Sequence, residues 1–430
     1  MMEGERRILH VDMDAYFAAL EIQAAPALQG RPLVVGALPG GRGVVASASY
    51  PAREFGIRAG MPVALARRLC PRAEFVPCHP ALYIHTTRRI LRHLLGITTR
   101  VEMFSIDEAY LDVTDLLERH PDDPRSWKAA EALGREIAAG IEQSFGLSCS
   151  IGVGPNKLIA KMATGVRKPR GITVLGREAF RHIFWSKPVE ALYGVGEKTA
   201  SSLMILGIET IGELADTPAG FLSRHFGVFG EALHAMAWGE DATPVVPSHD
   251  APPAKSLGHE HTVERDFETR EAGLALLLAL SERVGEDLRR EDYAGRRIAI
   301  KIRYSDFSSL MRQKMVASPT NETRDIYRTA KELFLANYCG GGVRLLGLTV
   351  GELVKIDGKI QLGLFPEDRR YRELLETVDR IRDLYGHASL LPAGALRQEG
   401  RRAGRAERAP DAAGGNHAPS APRLAPIGRR

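Results

Sequence analysis

Two short apolar, strand-forming segments restrict this chain more than any other feature, because each carries carboxylates where a strand would ordinarily be buried. The first is His10-Val11-Asp12-Met13-Asp14; the second, Phe104-Ser105-Ile106-Asp107-Glu108-Ala109-Tyr110-Leu111, places Asp107 95 residues after Asp12. Strand alternation puts Asp12 and Asp14 on one face. Carboxylates in such surroundings are costly unless something neutralises them. One segment alone reads equally well as solvent-facing or salt-bridged acids. Two of them favour a shared cation site, and a pair of Mg²⁺ ions is the hard-cation solution, with carboxylate oxygens as ligands and substrate phosphates completing the shell.

Around these segments the chain is long enough for several cores. Its 430 residues suit three or four domains, and 44% hydrophobic with 26% charged residues is the balance of a globular protein. No run of 18 apolar residues appears, so no membrane span is expected. Arg6-Arg7 lead straight into Ile8-Leu9-His10-Val11 without a signal-peptide pattern. Cys70, Cys78, Cys149 and Cys339 are scattered with no CxxC, against a zinc site or a disulfide framework, and a reducing cytoplasm is the expected location. The net charge of +5 is uninformative by itself, because residues 397–430 hold eight Arg against three acids and the remainder balances. Any nucleic-acid surface must come from local segregation of charge.

The expected architecture is multidomain α/β (α+β). Residues 1–18 and 80–170 alternate strand and helix, with Arg7–Asp14 as a buried strand, a helix from Tyr16 to Ala25, a carboxylate hairpin over Val101–Thr114 and a strand over Leu147–Gly154. Residues 19–79 form a small insertion, and 171–242 read as short helices punctuated by glycine. Residues 243–255 are a Pro-rich linker. From 256 to 355 the order strand, helix, strand, strand, helix, strand gives a βαββαβ module. Residues 356–396 hold a short peptide and an amphipathic helix, and 397–430 read as a disordered basic tail.

His10–Glu21 and Ser105–Asp112 together resemble the Y-family of DNA polymerases, most closely the bacterial DinB branch, and the resemblance runs over roughly residues 6 to 390. It implies a right hand of palm, fingers and helical thumb with an appended little-finger domain. It also implies Asp12, Asp107 and Glu108 as catalytic, metal-ligating side chains, the Met13 carbonyl as a further ligand, and a supporting role for Asp14. Two metals about 4 Å apart would activate a primer 3′-hydroxyl and stabilise the leaving pyrophosphate of a nucleotide.

By the same resemblance Phe17 is the sugar-selecting residue, with Tyr16 beside it in the substrate-binding set. Tyr50 and Arg53, in Ser49-Tyr50-Pro51-Ala52-Arg53, would bind the triphosphate, the arginine through its planar fork. Lys168, in Arg167-Lys168-Pro169-Arg170-Gly171, matches a phosphate-binding lysine, although many DinB-like sequences carry Asn where this one has Arg170. Ala46, Ser47 and Ala48 would leave the nascent pair a roomy pocket, lowering discrimination by shape.

Three features are handles on partners. Leu192-Tyr193-Gly194-Val195-Gly196-Glu197-Lys198 reads as helix-hairpin-helix, with Gly194, Gly196 and Lys198 gripping phosphates irrespective of sequence. In Arg297–Tyr304, alternation sets Arg297, Lys301 and Arg303 opposite Ile298, Ile300 and Ile302, and Arg312 and Lys314 are expected to extend the same basic face on the next strand. Gln361-Leu362-Gly363-Leu364-Phe365 resembles the peptide by which bacterial replication proteins bind the sliding clamp, with Gln361, Leu362, Leu364 and Phe365 as anchors. The expected enzyme is a monomeric, error-prone, translesion DNA polymerase. It would use primer-template DNA and dNTP, and no second acid set suggests proofreading. A non-catalytic accessory protein of the same fold, or another palm-based metalloenzyme such as a nucleotidyl cyclase, are the rivals. The first would be expected to have lost a ligating acid, and the second has no use for all three handles.

Overall fold

The structure, a computed structural model, describes residues 5–38, 40–117, 124–356 and 366–394. These residues divide into two compact units, one of residues 5–38 and 44–251, the other of residues 40–43 and 252–394.

The first unit is organised by β1 (Ile8–Met13), a strand covered on both faces, with only Asp12 partly exposed. Leu9, Val11 and Met13 face a core filled by Tyr83, Ile90, Leu91 and Leu94 from helix Pro80–Leu95 and by Ala130, Ile137 and Ile141 from helix Pro124–Phe145. Ile8, His10 and Asp12 face the other side. After β1 the chain forms helix Tyr16–Ala24, then a separate three-stranded sheet of β2 (Leu33–Gly36), β3 (Val45–Ala48) and β4 (Glu74–Val76), in the order β3-β2-β4. That sheet and its short helices close over their own core of Val34, Val45, Ala52, Ile57 and Val63. The chain returns through β5 (Val101–Met103), β6 (Glu108–Asp112), β7 (Cys149–Gly154) and β8 (Ile172–Val174) to complete a five-stranded sheet ordered β5-β6-β1-β7-β8.

Helix Lys157–Thr164 crosses the Asp12 face of this sheet, and Gly152 makes the approach possible: a Cβ there would lie 1.9 Å from the Ala160 carbonyl. Five short helices between Arg177 and Ala237 then pack around Phe180, Leu203, Ile211, Leu214, Leu222 and Leu233.

Three sequence expectations change here. Ile172–Val174, expected to open the helical domain, instead pairs parallel with β7, a three-residue run too short to show strand periodicity. Leu20 of helix Tyr16–Ala24, expected in the 19–79 insertion, is buried in the core beneath β1 and not in the three-stranded sheet's core. The segment read as a free linker is partly tied down: the Val246 amide donates to Glu102 Oε2 (2.8 Å), and Ser248 Oγ donates to the Val101 carbonyl (3.2 Å).

In the second unit, β9 (Ser256–Phe267), β10 (Tyr293–Tyr304), β11 (Ser309–Thr320) and β12 (Val343–Lys355) form an antiparallel sheet ordered β11-β10-β12-β9. Helices Arg270–Arg290 and Thr323–Asn337 cover one face, over Leu277, Ile298, Ile300, Ile302, Phe334, Leu346 and Leu348. The sequence pattern of helix Pro366–Tyr385 predicts docking by an apolar stripe. Leu375 is buried, but Leu374 is 55% exposed and the docking is largely ionic. Arg289 grips Asp379 through two nitrogens (2.6 and 2.9 Å), and the buried Arg382 pairs with Glu282 (2.8 Å). Gln361, Leu362, Leu364 and Phe365, and the tail from 397, lie outside the described residues.

Candidate active site

The register of β1 with β6 sets Asp12 directly opposite Glu108, and the Met13 amide donates to the Asp107 carbonyl at 3.0 Å. Two strands 95 residues apart in sequence therefore present Asp12, Asp107 and Glu108 together at one sheet end. The site is partly desolvated, and each acid has a different partner. Asp12 Oδ1 lies 2.5 Å from Lys168 Nζ. Ser105 Oγ donates to Asp107 Oδ1 at 2.6 Å. Lys161 Nζ donates to Glu108 Oε2 at 2.5 Å, with His10 Nε2 3.7 Å from the same oxygen.

Those environments split the acids electrostatically. Burial pushes the Asp12 carboxyl up to about 7, with Glu108 and Asp107 adding to the rise and Lys168 opposing it. Burial also raises Asp107. For Glu108, burial is outweighed by the neighbouring His10 and the Lys161 charge, so its carboxyl sits far below the usual carboxylate range. His10, buried against Thr164, is itself held down to about 4, chiefly by burial.

Hard oxygen donors, partly buried and mutually repelling, are the chemistry of a divalent-metal site. Among the described residues no three His, Cys, Asp or Glu side chains are gathered closely enough to hold an ion. Asp12 and Glu108 lean on lysines and Asp107 on a serine. The fit therefore rests on register and donor type.

Asp14 ends up in a different role from Asp12. It lies beyond the end of β1, is 4% exposed, and accepts hydrogen bonds from Ser150 Oγ (2.7 Å), the Arg170 amide (2.9 Å) and Tyr50 OH (3.2 Å). Arg170 sits at φ 61°, where Asn would be at ease. What Asp14 receives from it is a backbone N–H, so the departure from Asn costs no contact there, and the arginine side chain turns to Glu142 (2.8 Å). The Arg53 guanidinium lies 4.6 Å from the centre of the Tyr50 ring, and its Nε donates to the Ala48 carbonyl (3.0 Å).

The two aromatics after the first acid segment part company. Phe17 is half-buried and stacks on Tyr83, with ring centroids 4.2 Å apart and 9° between planes. Tyr16 is 2% exposed, and its hydroxyl donates to the Tyr83 carbonyl (2.9 Å) beside Thr87 Oγ1. That ring is sealed in the core, so any contact of Tyr16 with a nucleotide is made by its backbone, at the first turn of helix Tyr16–Ala24.

Sequence reasoning missed Lys161. Its signal was available: in helix Lys157–Thr164 the two lysines, four residues apart, share one face of an otherwise buried helix, and Lys157 pairs with Glu102 (2.7 Å) as Lys161 pairs with Glu108.

Farther along, Gly194 takes φ 92°, and Gly196 caps helix Glu197–Ile205 with open space where its Cβ would be. Lys198 is exposed in that helix's first turn. In the second unit, Arg297, Lys301 and Arg303 do share the face away from the helices, and Lys301 is engaged by Glu260 (2.8 Å). Arg312 and Lys314 do not join them. The register pairs Arg312 with Ile300 and Lys314 with Ile298, which sets both on the helix-bearing face. There they reach helix Thr323–Asn337, Arg312 at Asn337 (3.0 Å) and Lys314 at Glu332 (2.7 Å). Alternation within one strand places the first set correctly, but the offset between strands is not contained in the sequence pattern.

With this geometry established, comparison with known proteins is decisive. The chain matches the impB/mucB/samB family over residues 11–165 and that family's C-terminal domain over residues 254–364. It belongs to the Y-family of DNA polymerases. DNA polymerase IV of Desulfatibacillum aliphaticivorans is 37% identical over 393 residues, covering 90% of this chain and 96% of that one. DNA polymerase IV 1 of Bacillus subtilis (strain 168) is 34% identical over 403 residues, covering 93% and 95%. A solved Y-family DNA polymerase chimera superposes with a TM-score of 0.70 at 26% identity, over 81% of this chain and 99% of that one. The architecture is thus the palm, fingers, thumb and little finger of a Y-family polymerase, an enzyme class that depends on divalent metal. Among the described residues no helix is long and apolar enough to cross a membrane.

Proposed function

We infer that this enzyme is a template-directed DNA polymerase of the translesion type, extending a primer 3′-end from dNTP with release of pyrophosphate. The observation that carries the reading is the Asp12–Glu108 register, which sets two segments' carboxylates at one partly buried end of the sheet with lysines on them. Two Mg²⁺ ions, held by Asp12, Asp107, Glu108 and the Met13 carbonyl, would supply Lewis-acid activation and charge neutralisation.

The chain's own groups do the rest. Tyr50 and Arg53 hold the triphosphate, and Lys168 exchanges its Asp12 partner for phosphate oxygen. Phe17 lies under the sugar and excludes a 2′-hydroxyl. Asp14 fixes Tyr50 relative to β7 and the Arg170 turn, so the nucleotide clamp and the acids keep one geometry. Gly194, Gly196 and Lys198, with Arg297, Lys301 and Arg303, contact the duplex backbone, where affinity comes without base readout. We assign Gln361, Leu362, Leu364 and Phe365 to the sliding clamp, and expect a cytoplasmic monomer whose low processivity the clamp relieves.

Primer extension with Mg²⁺ and dNTP, wild type beside Asp107→Ala, tests the reading. Extension by the wild type that the variant lacks is the expected result. A folded wild type that binds primed DNA but never extends it would point to the accessory role. Leu364→Ala with Phe365→Ala should abolish stimulation by the clamp without changing extension on short templates.

A further inference from the structure

Phe17 can reject a ribose only if its ring does not yield when a 2′-hydroxyl presses on it, and the structure shows what backs it. Tyr83 lies flat against Phe17, 4.2 Å away and nearly parallel. Tyr83 is 1% exposed and held at both ends. Its carbonyl accepts from the Tyr16 hydroxyl (2.9 Å), and its own hydroxyl donates to Glu21 Oε1 (2.5 Å). The same Glu21 oxygen accepts from His79 Nδ1 (2.8 Å), at the residue that precedes helix Pro80–Leu95. Glu21 is 5% exposed and projects from helix Tyr16–Ala24, which also carries Phe17.

A buried carboxylate is a poor way merely to hold two helices together, because apolar side chains of similar volume do that without desolvating a charge. What a carboxylate adds is direction. A short hydrogen bond to a phenol fixes the ring plane, and a ring fixed in plane is a firm backstop for its stacked neighbour. We propose that Glu21 and His79, through Tyr83, are positioning residues that hold Phe17 rigid and so set the preference for deoxyribonucleotides over ribonucleotides. This rests on the reading of Phe17 as the sugar-selecting residue.

The test compares wild type with Phe17→Ala, Tyr83→Phe, Glu21→Ala and Glu21→Gln in single-nucleotide primer extension with a matched dNTP or rNTP. The readout is the ratio of kcat/KM for dNTP to that for rNTP, which does not move when a variant merely folds less well, since both rates then fall alike. Phe17→Ala should collapse the ratio. Glu21→Ala and Tyr83→Phe should lower it about tenfold or more while kcat/KM with dNTP falls less than about threefold. Glu21→Gln keeps an acceptor oxygen and should restore the ratio to within about threefold of wild type. If Glu21→Ala is insoluble, Tyr83→Phe alone decides. A collapsed ratio in Phe17→Ala with wild-type ratios in Glu21→Ala and Tyr83→Phe overturns the inference and leaves the reading of Phe17 standing. A wild-type ratio in Phe17→Ala overturns both.

Discussion

Lys161 Nζ lies 2.5 Å from Glu108 Oε2, on the helix Lys157–Thr164 that crosses the acid face of the five-stranded sheet. Its ammonium sits 4.9 Å from the centre of the Phe104 ring and 5.2 Å from that of Tyr193, so it is caged by aromatics as well as paired. Lys161→Met keeps the length of the side chain and deletes the charge. Glu108 then loses the partner that orients it, and kcat should fall about tenfold to a hundredfold with little change in KM for dNTP. Single-turnover extension kinetics check this. Unaltered turnover would mean that Lys161 is a bystander.

Asp14 serves three donors from three segments: Tyr50, Ser150 and the Arg170 amide. Asp14→Ala strands the buried serine and the amide together. Unpaired buried donors cost about 1–3 kcal/mol each, so a clear drop in Tm is expected. Because Tyr50 also loses its anchor, KM for dNTP should rise about tenfold with kcat less affected. Thermal melts together with steady-state kinetics separate the two effects.

How much of this is legible in the sequence follows from the physics of each signal. Carboxylates inside β-forming apolar runs are expensive, so the two segments holding Asp12, Asp14, Asp107 and Glu108 stand out from residue type and spacing, whereas the choice of Asp12, Asp107 and Glu108 among those acids comes from the family resemblance. Strand alternation locates Arg297, Lys301 and Arg303 on the open face by an equally local rule. Arg312 and Lys314 escape it because register between strands depends on the turn joining them and on packing, neither of which appears as a period in the sequence. Tyr16 and Phe17 are adjacent and chemically alike. Only the strand-to-helix turn at Ala15, with φ 47°, decides which ring is buried. Asp14 illustrates the same limit: i, i+2 spacing puts it with Asp12, but β1 ends at Met13 and the alternation ends with it.

Acid should unfasten helix Pro366–Tyr385. Glu286 receives a hydrogen bond from His387 Nδ1 (2.5 Å) and an ion pair from Arg290 (2.6 Å). Burial alone would raise its carboxyl, but His387 and Arg290 more than reverse this and bring it down to about 2 from an ordinary 4.5. A carboxyl depressed on folding stabilises the fold above its ordinary value, and that contribution is lost as pH falls from about 4.5 toward 2. Melting temperature should therefore fall more steeply across that window in wild type than in Glu286→Gln. Parallel curves would show that the pair contributes nothing.

The β10–β11 register separates two sets of basic residues that look alike in sequence. Arg297 and Arg303 point away from the helices, and Arg312 and Lys314 point toward Asn337 and Glu332. Each lysine or arginine that displaces counterions from a duplex steepens the dependence of affinity on salt by about one unit of log–log slope. Arg297→Ala with Arg303→Ala should therefore weaken primer-template binding and flatten the slope by about two, equally for every sequence, because backbone contacts carry no base readout. Lys301→Ala should cost less, since its ammonium already has Glu260 as partner. Arg312→Ala with Lys314→Ala should leave both affinity and slope close to wild type. Fluorescence anisotropy titrations across a range of salt measure all of these. A loss on the Arg312 and Lys314 side equal to that on the Arg297 and Arg303 side would mean that the duplex wraps around the edge strand, and that the open face is not its main seat.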